Sequence, residues 1–175
     1  MSTLIEQQTA VPAGTWQADT VHSSLGFEVS YLGISTFSGE LKGFEATLAD
    51  GELSGKAPVA SIEVKDENLF AHLQAPDFFD AERHPELSFS GTATGDGTFE
   101  GEITIKGVTK PATLSGTITG PVTDPYGNER YALRLETVID RTQFGIDWNA
   151  PLPGGGFALS NNVKLKADLM LVKAA

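Results

Sequence analysis

"VKLKADLML", residues 163–171, alternates without a slip. Val163, Leu165, Ala167, Leu169 and Leu171 fall on one side, and Lys164, Lys166 and Asp168 on the other. Successive side chains of a strand point to opposite faces, so this period of two describes a strand with one apolar and one wet face. Several other segments read the same way. "LGFEVSY" (25–31) aligns Leu25, Phe27, Val29 and Tyr31. "TFEGEITIK" (98–106) aligns Phe99, Ile103 and Ile105 with Gly101, and "ATLSGTI" (112–118) aligns Ala112, Leu114 and Ile118 with Gly116. "YALRLETVI" (131–139) aligns Tyr131, Leu133, Leu135, Thr137 and Ile139. "ASIEV" (60–64) and "LSFSGTA" (87–93) alternate likewise.

One strand changes phase. Phe37 and Leu41 hold odd positions, whereas Phe44, Ala46 and Leu48 hold even ones. An extra residue flips every later side chain unless a bulge absorbs it, so a bulge is predicted at Lys42–Gly43. Gly, Asp, Asn and Pro mark turns at "ADGEL", "TGDGT", "KGVTKPA" and "DPYGNER". About nine strands joined by short turns, each with one apolar face, imply an all-β antiparallel sheet, closed into a barrel or folded as a sandwich.

The rhythm stops at "DENLFAHLQAPDFFDAERHP", 66–85. Leu69, Phe70 and Leu73 have helical spacing. Pro76 suits the first turn of a second short helix through "DFFDAE", and Pro85 extends His84 into the next strand. Short helices across one end of the sheet are predicted. Residues 1–13 lack pattern and read as a loose tail, residues 14–175 as one domain, and residues 149–162, "NAPLPGGGFALSNN", as a flexible loop.

Composition narrows the function. The 175 residues include no cysteine, so disulfides and thiol chemistry are out. Twelve basic residues against 23 acidic ones give a formal net charge of −11, the wrong sign for holding nucleic acid. No apolar run is long enough for a transmembrane helix, and the first residues carry no basic, apolar leader, so a cytoplasmic location is expected.

No constellation argues strongly for catalysis. His22 lies beside Ser23, Ser24 and Asp19, but local adjacency is not a triad. Asp77, Asp80 and Glu82 fit a helix start better than a glycosidase pair. His22, His72 and His84 have no metal-ligand spacing, and "PLPGGGF" has no following Lys and is not a phosphate loop. Neither a metal nor another cofactor is expected. What remains is an apolar interior able to hold one ligand if the sheet closes.

The order of "GTWQADTVHSSLGFEVSYLGISTFSGELKGFEATL", "HLQAPDFFDAERHPELSFS", "GEITIKGVTKPATL" and "VIDRTQFGIDW" resembles the YceI-like family across residues 14–173. The resemblance implies a lipocalin-like antiparallel barrel of about eight strands with helices at one end. It implies a polyisoprenoid, isoprenoid quinone, fatty-acid derivative or other long-chain lipid held in the pore, and a binding protein rather than an enzyme. Phe27, Val29, Tyr31, Phe37 and Leu41 are then expected to touch the ligand from the first strands, and Leu87, Phe89, Leu133 and Leu135 from later ones. Phe78 and Phe79 would do so from the cap, and Phe144 and Trp148 from the last motif. Adjacent residues on a helix diverge by about 100°, so one of Phe78 and Phe79 should border the mouth and the other pack on "NLFAHL". Family members often carry basic residues where this chain has Leu69, Phe70 and Gln74, which implies a neutral head group here. A lipid-modifying enzyme using the His22 region is the alternative, and a homodimer is left open.

Overall fold

The computed structural model describes residues 7–8, 11–94 and 97–174. The strands are β1 (Gln7–Gln8), β2 (Thr15–Ala18), β3 (Ser24–Tyr31), β4 (Ser35–Leu41), β5 (Glu45–Ala49), β6 (Glu52–Pro58), β7 (Ile62–Glu63), β8 (Glu86–Ala93), β9 (Thr98–Ile105), β10 (Val108–Thr123), β11 (Glu129–Asp140) and β12 (Leu159–Lys173). One α-helix, α1 (Glu67–Gln74), and two 3-10 turns, Val59–Ser61 and Arg141–Phe144, complete the described elements. That helix is too short to cross a membrane, and no described helix is long and apolar enough to do so.

The sheet closes on itself. Around the ring, β2 pairs with β5, β5 with β6, β6 with β8, β8 with β9, β9 with β10, β10 with β11, β11 with β12, and β12 returns to β2, every pairing antiparallel. The barrel alternative therefore holds over the sandwich, with eight strands. In the other half of the wall β3 and β4 take over from β2 and β5, with β3 against β12 and β4 against β3. The bulge predicted at Lys42–Gly43 is instead a break between two strands, since β4 ends at Leu41 and β5 begins at Glu45. Strand pairing lapses at Lys42–Phe44, and the buried positions pass from Leu41 to Phe44 and Leu48.

One end of the interior is solid. Trp16 stands edge-on to Tyr131, centroids 4.9 Å apart. Leu48, Phe99, Ile118, Leu133 and Leu171 around them are wholly buried. The other end carries α1, the turns that follow it, the Arg141–Phe144 turn and the 149–158 segment.

Three further expectations need correction. "DFFDAE" forms no second helix. Phe79 and Ala81 N–H donate back to the carbonyls of Leu73 and Gln74 at the end of α1, and Asp80 sits at φ 50°. These bonds satisfy helix-end carbonyls and fold the chain into successive turns. The loop expected over 149–162 ends earlier, because Leu159–Asn162 already belong to β12; within it Pro151 bridges Phe157, Leu152 N–H donates to Gly156 O, and the Asn149 side chain both accepts from and donates to the Leu159 backbone. "ASIEV" yields only the two-residue β7, because Val59–Ser61 turns as a 3-10 helix. The expected loose tail falls mostly outside the described residues. Where it is described, Gln7–Gln8 pair with Ile118–Thr119 and Val11 packs on the core.

Candidate functional site

Between the packed end and the helical end lies an apolar cavity of about 580 Å³. This is within the range of ligand pockets, roughly 300–1,000 Å³. Its walls follow the alternation: Phe27 and Val29 from β3, Leu87 and Phe89 from β8, Leu135 and Ile139 from β11, and Val163, Leu165, Ala167 and Leu169 from β12. Phe27, Leu87 and Phe89 point inwards yet are only partly buried, because they face open space and not another side chain. Glycines help keep that space open. A Cβ at Gly39 would lie 2.7 Å from the Phe27 ring, and one at Gly91 equally close to the Phe89 ring. The end of each ring thus takes the space that a side chain at the glycine would need.

The structure places eleven of the thirteen expected contact residues on the cavity: Phe27, Val29, Tyr31, Phe37, Leu41, Phe78, Phe79, Leu87, Phe89, Leu135 and Trp148. Leu133 and Phe144 do not line it. Leu133 faces inwards but one layer too deep, paired with Ile118 and Leu169 at the packed end. Phe144 is 2% exposed and buried in the 3-10 turn. Phe78 and Phe79 both reach the cavity, since the turns that replace the helix remove the 100° divergence.

An aromatic cluster forms the cap. The His72 ring stands edge-on to both Phe78 and Trp148, at 4.7 Å from each, and Phe78 and Trp148 lie 5.5 Å apart. Asp66 begins α1 by accepting from Leu69 N–H, and Gln74 ends it by donating to Val59 O. Asp77 lies 3.5 Å from His72. Of the positions expected to neutralise the mouth, Leu69 lines the cavity, and Gln74 is spent on the backbone.

The buried cation at this end, among the described residues, is Arg141, which sequence reasoning passed over. It continues the inward phase of Leu133, Leu135, Thr137 and Ile139, and that phase was the available signal. Arg141 is 4% exposed and lines the cavity. Its Nε donates to Ser160 O at 2.9 Å, and Nη1 donates to Ile146 O and Trp148 O, each at 2.8 Å. Nη2 is buried with no hydrogen-bond partner among the described residues. Burial pushes the guanidinium pKa below its ordinary value, while the fields of Asp140 and Asp147 oppose that shift.

The His22 region lies elsewhere. His22 is exposed and its Nδ1 meets Asp19 Oδ2 at 2.8 Å. Arg130 joins Asp19 at 2.9 Å and Asp124 at 2.7 Å. Ser23 Oγ accepts from Met170 N–H. None of these residues lines the cavity.

The YceI-like domain model matches residues 16–171. The chain belongs to the YceI-like family. A UPF0312 protein of Vibrio parahaemolyticus is 32% identical over 155 residues, covering 78% of this chain and 82% of that protein. One from Staphylococcus epidermidis is 29% identical over 159 residues, covering 86% and 92%. Among solved structures, the Campylobacter jejuni YCEI protein gives a TM-score of 0.66 at 23% identity, covering 90% of this chain and 96% of that one. A polyisoprenoid binding domain from Saccharophagus degradans gives 0.70 at 10% identity, covering 91% and 98%. At these identities the structural likeness concerns the fold. It is the same lipocalin-like barrel.

Proposed function

We propose that this YceI-like protein binds a long-chain apolar lipid, a polyisoprenoid or similar chain, inside its barrel, as a carrier or reservoir. The observation that carries the reading is the cavity itself: a closed wall of inward aliphatic and aromatic side chains, capped by His72, Phe78 and Trp148. Each buried CH₂ contributes roughly 0.8 kcal/mol, so chain length alone supplies affinity. The family membership and the likeness to a polyisoprenoid binding domain support the same reading.

The enzyme alternative draws little from the geometry. His22 is held by Asp19, Ser23 Oγ accepts a backbone N–H, and both lie off the cavity. Native mass spectrometry of the purified protein, with organic extraction of whatever it carries, tests the proposal. A bound lipid released on extraction is the expected result. A protein that neither co-purifies with nor takes up any long-chain lipid would overturn it.

A further inference from the structure

The helical end of the barrel gathers apolar side chains on its outside as well. Eight large hydrophobic residues stand exposed among the described residues, and Tyr31, Leu32, Ile34 and Phe157 lie at this end, with Ile34 at 87% and Phe157 at 63%. The first three belong to the tip of the β3–β4 hairpin, and Phe157 to the 149–158 segment. Leu32 N–H donates to Ala158 O at 2.8 Å, and Tyr31 faces Leu159 across the strands, so the two tips form one patch. The patch is uncharged. Residues 148–163 are the longest run of the chain without Asp, Glu, Lys or Arg, and 29–39 contain none either. The turn would favour a polar residue: Leu32 and Gly33 both sit at positive φ, 59° and 72°, where Asn-Gly is the preferred pair. An exposed leucine stands there instead. By contrast, the exposed Val21, Val122 and Tyr126 at the packed end each lie within two residues of Asp19 or Asp124.

The patch continues the cavity wall. Val29 and Tyr31 line the cavity on one side and Leu159 and Ala158 on the other, and the chain runs from each directly into the exposed tips. A contiguous exposed apolar surface marks an interaction site. Its occupant must accept apolar side chains and gains nothing from charge. Neither segment offers a cation, and a protein of net charge −11 is repelled by an anionic leaflet. A chain leaving the cavity past Tyr31 also needs an apolar medium to enter. We infer that this rim docks on a lipid bilayer of uncharged or zwitterionic head groups, with Leu32, Ile34 and Phe157 inserted at the boundary of head groups and acyl chains. Lipid then passes between bilayer and cavity without crossing water. The inference takes its purpose from the lipid-binding reading above, whereas the docking surface stands on its own residues.

The chain has no cysteine, so a single introduced one can carry an environment-sensitive dye. The test uses the full chain labelled either at Ser35→Cys, on the rim, or at Tyr126→Cys, at the packed end, and vesicles of pure phosphatidylcholine. The dye at 35 is expected to shift to the blue on mixing and to be quenched by brominated acyl chains, at low and high salt alike, whereas the dye at 126 does neither. Ile34→Ser and Phe157→Ser together should weaken vesicle binding roughly tenfold or more, the range for exposing buried apolar side chains. They should leave uptake of a fluorescent long-chain alcohol unchanged, because neither residue lines the cavity. A protein that takes up the alcohol but ignores the vesicles overturns the docking and leaves lipid binding standing. Equal responses from the two dyes, or binding that requires anionic lipid and fades with salt, overturn it as well. A blue shift at 35 without vesicles, with a dimer mass in sedimentation, gives the rim to a second copy of the chain and overturns the bilayer. Docking through the rim without uptake of the alcohol supports the surface and overturns the lipid-binding reading.

Discussion

Lys106 reaches across the helical end of the barrel to Pro76, donating from Nζ to its carbonyl at 2.6 Å. The same ammonium bonds Gly145 O at 3.2 Å. It therefore ties the turns after α1 to the turn that carries Arg141. It can do so because Lys106 and Gly107, both at positive φ, make a two-residue hairpin between β9 and β10 that aims the side chain at the cap.

Replacing Lys106 with Met should loosen the cap without opening the core. The side chain is only partly buried, so the expected stability change is small, about 1 kcal/mol or less. Lipid release should quicken, because the "PDFFD" turns lose their tether. Stopped-flow transfer of a fluorescent chain to vesicles measures it. Unchanged release would mean that the cap does not gate the cavity.

Two glycines on the barrel wall separate space from collision. A Cβ at Gly116 would lie 1.5 Å from Arg134 O on the neighbouring strand, so β10 and β11 cannot keep their approach with any larger residue. Gly116→Ala is expected to cost about 3 kcal/mol, the upper range for overpacking. At Gly55 the nearest atom is 3.4 Å away, so Gly55→Ala should be close to neutral. Denaturant unfolding of the two variants checks the contrast, and equal losses would refute it.

Acid should weaken an ion-paired cluster at the packed end. Hydrogen bonds from His22 and then Arg130 lower the Asp19 pKa to about 2. The Asp124 carboxyl is also held well below its ordinary value, chiefly by Arg130 and then by the Asn128 backbone N–H. A carboxylate whose folded pKa is depressed contributes stability above its unfolded pKa, about 3.9, and loses it as pH falls through the folded value. The melting difference between wild type and Arg130→Met should therefore be full at pH 5 and above, and shrink between about pH 4 and pH 2. A difference that persists undiminished to the acid end would contradict the assignment.

How far these features were legible depends on what each side chain meets. Long alternating runs such as Tyr131–Ile139 and Val163–Leu171 were plain, because a sheet with one face on an interior imposes period two. β6 was missed: its inward positions are Leu53, Gly55 and Ala57, and two of those are too small to mark a face. The second helix was expected because Pro76 and the acids fit a helix start. Competing bonds to the α1 carbonyls, which pattern does not reveal, won instead. Whether Phe89 is core or wall cannot be read from alternation, since both put it inwards. Only the emptiness opposite it decides. Arg141 was overlooked for the reverse reason: a lone Arg after a strand reads as surface charge unless its phase is followed one step further.

That distinction between core and wall is itself testable. Leu133 sits between Ile118 and Leu169 at 0% exposure, and nothing around it can collapse freely. Leu133→Ala should cost about 2–5 kcal/mol, by lost transfer energy plus a new cavity. The loss should be the same with or without lipid, because the residue never faces the ligand. Phe89 borders space that is already open. Phe89→Ala removes apolar contact there but creates little new void, so the lipid-free protein should lose less than the ~3–5 kcal/mol of a packed Phe. In the loaded protein the same substitution also strips contacts from the chain, so the stabilisation given by lipid should shrink. Thermal melts of wild type and both variants, each free and saturated with one long-chain probe, give the comparison. Equal and large losses at Phe89 in both states would mean a filled core at that level of the barrel, and the channel would end above it.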